Sequence, residues 1–361
     1  MLCAGDDDRS ARARLCCGWR DEGHHQREEE GEAHCWTVGH RRFRRYLLGP
    51  HKVPADCGAR HRGKIRSGDL PSSDDGHKEV VVKIFLAVLL ALTFLAAPAN
   101  AAALRPVTGF GSNPGALQMY EYVPDGLPAG RPVVVALHGC TQDATYGQNA
   151  GWTGLADSLR FTLVLPQQVT ANNINKCFNW FQANDISRGS GEAESIAQMA
   201  RRALADTNGD ARRVYVTGLS AGGAMTSVML ATYPDLFAGG GVVAGIPFGC
   251  ATAMFEAFTC MNPGKNLTAQ QWGDKVRAAS SYTAARPGVS IWHGTADYTV
   301  AAMNLRESAE QWTNVGAPVQ TRTIQGMGHG QPVAPGCGRA GPYMLDVGVC
   351  AAAELAKFWG L

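Results

Sequence analysis

"VYVTGLSAGGAM", Val214 to Met225, sets Ser220 between two glycines, each two positions away, after a β-branched run and before helix-forming residues. Gly218 to Gly222 is G-x-S-x-G at the point where a strand gives way to a helix. A serine on so sharp a turn must take a strained backbone conformation, and the flanking glycines let strand and helix approach closely enough for the turn to form. Its hydroxyl then projects from the top of a sheet. The stretch predicts a strand ending at Gly218, a helix over Ala221 to Thr232 closed by Tyr233-Pro234, and Ser220 as candidate nucleophile. A glycine-rich turn also arises for packing alone, so the reading needs a base and an acid.

Outward from this turn, short apolar runs alternate with longer helical patterns. "PVVVALHG" (Pro132 to Gly139), "FTLVLPQQ" (Phe161 to Gln168), "GGVVAGI" (Gly240 to Ile246), "GVSIWHG" (Gly288 to Gly294) and "VQTRTIQG" (Val319 to Gly326) join "RRVYVTG" (Arg212 to Gly218) as predicted strands. Glu192 to Ala205 carries Ile196, Met199, Ala200 and Ala203 at helical spacing, with Ser190 as its expected cap. Met303 to Thr313 and Cys350 to Phe358 are two further predicted helices. Such alternation implies an α/β fold, a mostly parallel sheet flanked by helices, in a single domain.

A serine hydroxyl is a weak nucleophile without a base. Beyond residue 101 the chain has three histidines, His138, His293 and His329. In α/β-hydrolases the chain order is serine, acid, histidine, which leaves His293 and His329. His293 adjoins Gly294 at a strand end and reads as a packed or supporting residue; His329, in "GMGHGQP", sits on a loop free to face Ser220. The acid must lie between them, among Asp235, Glu256, Asp274, Asp297, Glu307 and Glu310. Asp297 directly follows a strand, in "WHGTADYTV", and is the expected acid. Acyl transfer also needs oxyanion donors. The Ala221 N–H, after the nucleophile, is one candidate, and the Cys140 N–H in "LHGCTQ", after an early strand, is the other. That His138-Gly139 is merely a strand terminus stays open here.

The 361-residue chain carries a formal net charge of +2, which points to no partner class. Residues 1–80 are dense in Arg, Glu, Asp and His, without periodicity, and have little with which to build a core. Their cysteines Cys3, Cys16, Cys17, Cys35 and Cys57 match no zinc spacing. Lys83, an apolar run of 14 residues from Ile84 to Ala97, and Ala99-Asn100-Ala101 form a secretory signal over 81–101, too short for a comfortable membrane span. We expect translation to start at one of Val80, Val81 or Val82, with a disordered prefix as the alternative, and a mature hydrolase domain over 102–361. Its six cysteines point to disulfides in an exported protein. Of 15 connectivities, nearest-neighbour pairing is expected: 140 with 177, 250 with 260, and 337 with 350.

Other apparent motifs fail. "DTNGDARRV" from Asp206 has its glycine at the fourth place and no acidic twelfth residue, so it reads as a turn and not a calcium loop. "GGGVVAG" lacks the G-x-G-x-x-G arrangement of a dinucleotide site. Asn266-Leu267-Thr268 has the form of a glycosylation acceptor, which matters only in a eukaryotic source.

Taken together, "LHGCTQDA", "KCFNWF", "GLSAGGAM", "AGIPFGCA", "WHGTADYTV", "GMGHGQPV" and "GPYMLDVG" resemble the polyhydroxybutyrate depolymerase family of secreted serine esterases, related to feruloyl and acetylxylan esterases. The resemblance spans roughly residues 104 to 361. It implies the α/β-hydrolase fold, a Ser220, Asp297, His329 triad, Cys140 in the oxyanion hole, and ester hydrolysis through an acyl-enzyme with no metal or cofactor. Members that attack crystalline polymer add a binding domain after the catalytic one; none is read before Leu361, which turns the expectation to short or amorphous polyester or oligomers. Trp180 and Phe181 are expected either to line the acyl side of the cleft or to pack in the core. The alternatives are a carbohydrate-ester hydrolase of feruloyl or acetylxylan type, and a catalytically silent secreted binding protein. A monomer is expected, with no nucleic-acid partner and no membrane attachment once the signal is cut.

Overall fold

The structure is a computed structural model, and it describes residues 102–361. The extension expected over 1–80, the signal over 81–101 and the five cysteines before it lie outside the described residues.

Arg105–Val107 (β1) and Gln118–Tyr122 (β2) precede Val133–Leu137 (β3); Tyr146–Asn149 (α1) and Trp152–Leu159 (α2) then lead to Thr162–Gln167 (β4). Gly191–Thr207 (α3), Val214–Leu219 (β5), Ala221–Thr232 (α4) and Gly239–Val243 (β6) follow. Next come Met254–Met261 (α5), Ala269–Ala278 (α6), Gly288–Gly294 (β7), Met303–Asn314 (α7) and Val319–Ile324 (β8). A short parallel pair, Gln331–Val333 (β9) and Met344–Asp346 (β10), precedes Ala351–Phe358 (α8).

Eight strands form one sheet in the order β1-β2-β4-β3-β5-β6-β7-β8. From β4 to β8 the neighbours run parallel, and β2 and β1 are added antiparallel at one edge. All five residues of β3 are buried, as a strand covered on both faces requires. Its period of two divides them: Val133, Val135 and Leu137 pack with Ile196 and Met199 of α3 and Val228 of α4, whereas Val134 and Ala136 pack with Trp152 of α2 and Leu355 of α8. The alternation of runs in the sequence thus reports a sheet with helices on both faces.

One expectation needs correcting. Ser190 occupies the N-cap position of α3 but makes no side-chain cap; its hydroxyl donates to the Asn184 carbonyl at 2.7 Å. Asp185 takes over the work, its Oδ1 accepting from Glu192 N–H at 3.1 Å and its carbonyl from Ala193 N–H at 3.1 Å. The three expected disulfides, Cys140–Cys177, Cys250–Cys260 and Cys337–Cys350, are all present.

Candidate active site

Register puts the site together. Leu137 of β3 lies beside Gly218 of β5, Leu219 beside Val243 of β6, and Val243 beside Trp292 of β7. The loops that leave these strands therefore share the carboxyl edge of the sheet, where open α/β sheets place their ligands.

At the turn after β5, Ser220 has φ 58° and ψ −118°. An L-residue pays about 1–2 kcal/mol for that left-handed φ. The glycines make the turn sterically feasible. A Cβ on Gly222 would stand 2.2 Å from Leu137 O, and one on Gly218 would stand 2.5 Å from the Gly222 carbonyl.

His329 meets the serine, its Nε2 lying 2.8 Å from Ser220 Oγ and its Nδ1 lying 2.7 Å from Asp297 Oδ2. A carboxylate only accepts, so the ring proton sits on Nδ1 and Nε2 offers its lone pair to the hydroxyl. Asp297 Oδ1 accepts the N–H groups of Thr299 at 3.0 Å and Val300 at 2.9 Å. Burial works to raise this carboxyl's pKa, but hydrogen bonds from His293 and His329 and the Val300 amide outweigh it and hold the group well below the usual carboxylate range. Gly294 allows the two loops to touch: a Cβ there would lie 2.2 Å from Met327 O, and Ala296 N–H donates to that carbonyl at 3.0 Å.

His293 does not face the serine. Fully buried, it donates Nε2–H to Val300 O at 2.9 Å and stands 3.3 Å from Asp297 Oδ2, so it props the acid's turn. Asp235 and Asp274 pair with Arg188 and Arg277 at the surface, and Glu256 bonds the Thr252 N–H. Buried Glu307 accepts Trp272 Nε1–H at 2.6 Å, tying α6 to α7.

Beside Ser220 runs the loop after β3, so close that a Cβ on Gly139 would lie 3.5 Å from Ser220 Cβ. The N–H groups of Cys140 and Ala221 are bonded to no other described residue, while that of Thr141 is taken by Asn175 O at 2.6 Å. These loops open on a cavity of about 520 Å³ that includes Cys140, Ser220 and His329. Trp180 and Phe181, each 6% exposed, pack in the core and also border this cavity. Sequence reasoning missed Ile174, Met254, Phe258 and Tyr343, exposed by 82%, 53%, 69% and 47%, which line the same cavity. Among the described residues, the lining includes His329 but no Asp, Glu, Lys or Arg. Asn172, Asn173, Asn175, Thr141 and Gln142 supply a polar side. A charge-free cavity against a serine paired with histidine and aspartate suits attack on an uncharged carbonyl compound.

The sequence of residues 117–329 matches the family described as Esterase PHB depolymerase. Poly(3-hydroxyalkanoate) depolymerase C of Paucimonas lemoignei is 50% identical over 291 residues, covering 72% of this chain and 70% of that protein. Feruloyl esterase B of Thermothelomyces thermophilus is 37% identical, covering 66% of this chain and 84% of its own length. Among solved structures, an acetyl xylan esterase from Aspergillus awamori superposes with a TM-score of 0.63 at 27% identity, over 72% of this chain and 99% of that one. The shared architecture is the α/β-hydrolase fold.

Proposed function

The chain belongs to the Esterase PHB depolymerase family and is a carboxylic-ester hydrolase, and from that premise we propose that it is a secreted serine esterase cleaving hydroxyalkanoate polyester or its oligomers. The observation that carries the substrate class is the cavity beside Ser220, free of Asp, Glu, Lys and Arg among the described residues and rimmed by Ile174, Met254, Phe258 and Tyr343. An aliphatic polyester segment has no charge to pair and much apolar surface to cover.

In this reading Ser220 Oγ attacks the ester carbonyl while His329 Nε2 takes its proton, with Asp297 holding the imidazole in the required tautomer. The oxyanion accepts the Cys140 and Ala221 N–H groups, and Trp180 and Phe181 flank the acyl chain. His329 returns the proton to the leaving alkoxide. Water, deprotonated by the same nitrogen, then opens the acyl-enzyme and releases the acid. The distances of 2.8 and 2.7 Å along the serine, histidine and aspartate support these roles. Three disulfides support export to an oxidising compartment.

The polar side of the cleft, with Asn172, Asn173 and Asn175, favours a second reading, a feruloyl or acetylxylan ester whose sugar hydroxyls those amides would bond. Parallel assays on 3-hydroxybutyrate oligomers, methyl ferulate and acetylated xylan decide between them. We expect kcat/KM on the oligomers to lead by roughly tenfold or more, the range that pocket shape alone supplies. A lead for ferulate or acetylxylan would establish the second reading instead.

A further inference from the structure

The Cys140 N–H shares a peptide plane with the Gly139 carbonyl. A trans peptide is planar, so the two groups point in opposite directions, and whatever fixes the carbonyl also aims the amide. Gly139 O lies 2.7 Å from His138 Nδ1 and also accepts the Gln142 N–H at 3.3 Å.

His138 is 1% exposed, and its Nε2 lies 3.1 Å from the backbone nitrogen of Gln168. A backbone N–H only donates, so Nε2 must present its lone pair. The ring proton then sits on Nδ1 and is donated to Gly139 O. Burial keeps the ring neutral, pushing its pKa down to about 4; Lys176 acts in the same sense, while the Gly139 acceptor and Asp143 act against it. Neither hydrogen bond survives the other tautomer.

Gln168 is fixed in turn. Its side-chain amide donates to Cys177 O at 3.1 Å and to the buried Glu192 carboxyl, and its Oε1 accepts from Asn172 Nδ2 at 2.9 Å. Cys177 is the disulfide partner of Cys140. A closed circuit results: Cys140, the disulfide, Cys177, Gln168, His138, Gly139 and Cys140 again.

We propose that His138 is a positioning residue for ester hydrolysis, whose single tautomer locks the Gly139–Cys140 peptide plane and so aims the Cys140 N–H at the oxyanion. The inference rests on the reading of Ser220 as nucleophile and Cys140 as oxyanion donor.

Two variants separate aim from bulk. In His138→Gln the amide still reaches the Gln168 N–H but offers no donor at the Nδ1 position; in His138→Asn an amide nitrogen stands close to where Nδ1 was. Kinetics on p-nitrophenyl butyrate are read beside inhibition by butylboronic acid, which forms a tetrahedral adduct on a reactive serine. His138→Gln should lose roughly 10²-fold in kcat with KM within about twofold, boronate affinity falling in step, and His138→Asn should stand about tenfold or more above it. The inference is overturned if His138→Gln keeps wild-type kcat and boronate affinity, or if both variants fall alike with equal losses in Tm, the result expected of a space-filling role. Ser220→Ala serves as the control: ester hydrolysis that survives there sinks the nucleophile reading itself, whereas a dead Ser220→Ala beside an unimpaired His138→Gln sinks only the role given to His138.

Discussion

Ser220 sits at φ 58°, a conformation that costs any residue with a Cβ and costs glycine almost nothing. Ser220→Ala should therefore lose ester hydrolysis by on the order of 10⁴ to 10⁶ with little change in stability. Ser220→Gly should be as inactive yet melt higher than Ser220→Ala, by about 1 kcal/mol of relieved strain; equal melting temperatures would count against strain at the turn. Asp297→Asn keeps the shape but inverts the tautomer preference of His329, and roughly 10⁴ in kcat should go with it. His293→Ala removes the donor to Val300 O and should cost stability more than chemistry. If instead His293→Ala is dead and His329→Ala is active, the base has been misassigned. The grouping of Ser220, Asp297 and His329 was legible because the first two follow the ends of β5 and β7 and His329 lies on the loop after β8, in a fixed chain order. Glu307 shows the limit: nothing in its sequence neighbourhood separates an acid near a nucleophile from one that accepts a buried Trp272 N–H.

Strands β3 to β8 and helix α4 were legible because their apolar runs are short and punctuated by glycine. Helix α5 was not. Its sequence MFEAFTCM buries Ala257 and Cys260 and turns Met254, Phe255 and Phe258 to solvent, which inverts the pattern that normally marks a surface helix. Helix α6, by contrast, had a readable signal that went unused: Thr268 and Gln271 form a capping box, and Trp272 and Val276 repeat at four residues on its buried side. The Cys140–Cys177 bond joins two loops across a sequence separation of 37, against 10 and 13 for the other two disulfides. On the chain-entropy account it restrains the unfolded state most, by about 4 kcal/mol. Mild reduction should lower kcat before the near-ultraviolet circular dichroism of the fold is lost, since small displacements of an oxyanion donor are felt strongly in the rate. Activity and tertiary signal falling together would deny the loop its separate part.

Two buried groups set opposite limits on the stability of the molecule. Burial pushes His138 from 6.5 to about 4, so between those values the unfolded chain binds the extra proton and stability is lost as pH falls. Burial, with repulsion from Asp185, pushes Glu192 from 4.5 to about 8, so between those values the folded chain holds that proton and stability is lost as pH rises. A plot of Tm against pH should therefore be domed, with Glu192→Gln flattening its alkaline limb; an unchanged limb would show that the carboxyl is not the group responsible. The uncharged cavity carries a further consequence, for what happens after the chemistry. Every turnover converts a neutral ester into an acid that ionises at neutral pH, inside a chamber whose lining includes no lysine or arginine among the described residues. The new anion has water outside and no counter-charge within except a histidine that must shed its proton to begin again. Product expulsion is thus built into the lining, and 3-hydroxybutyrate should inhibit much less than an uncharged amide of the same size; comparable inhibition constants would mean that the chamber holds its product after all.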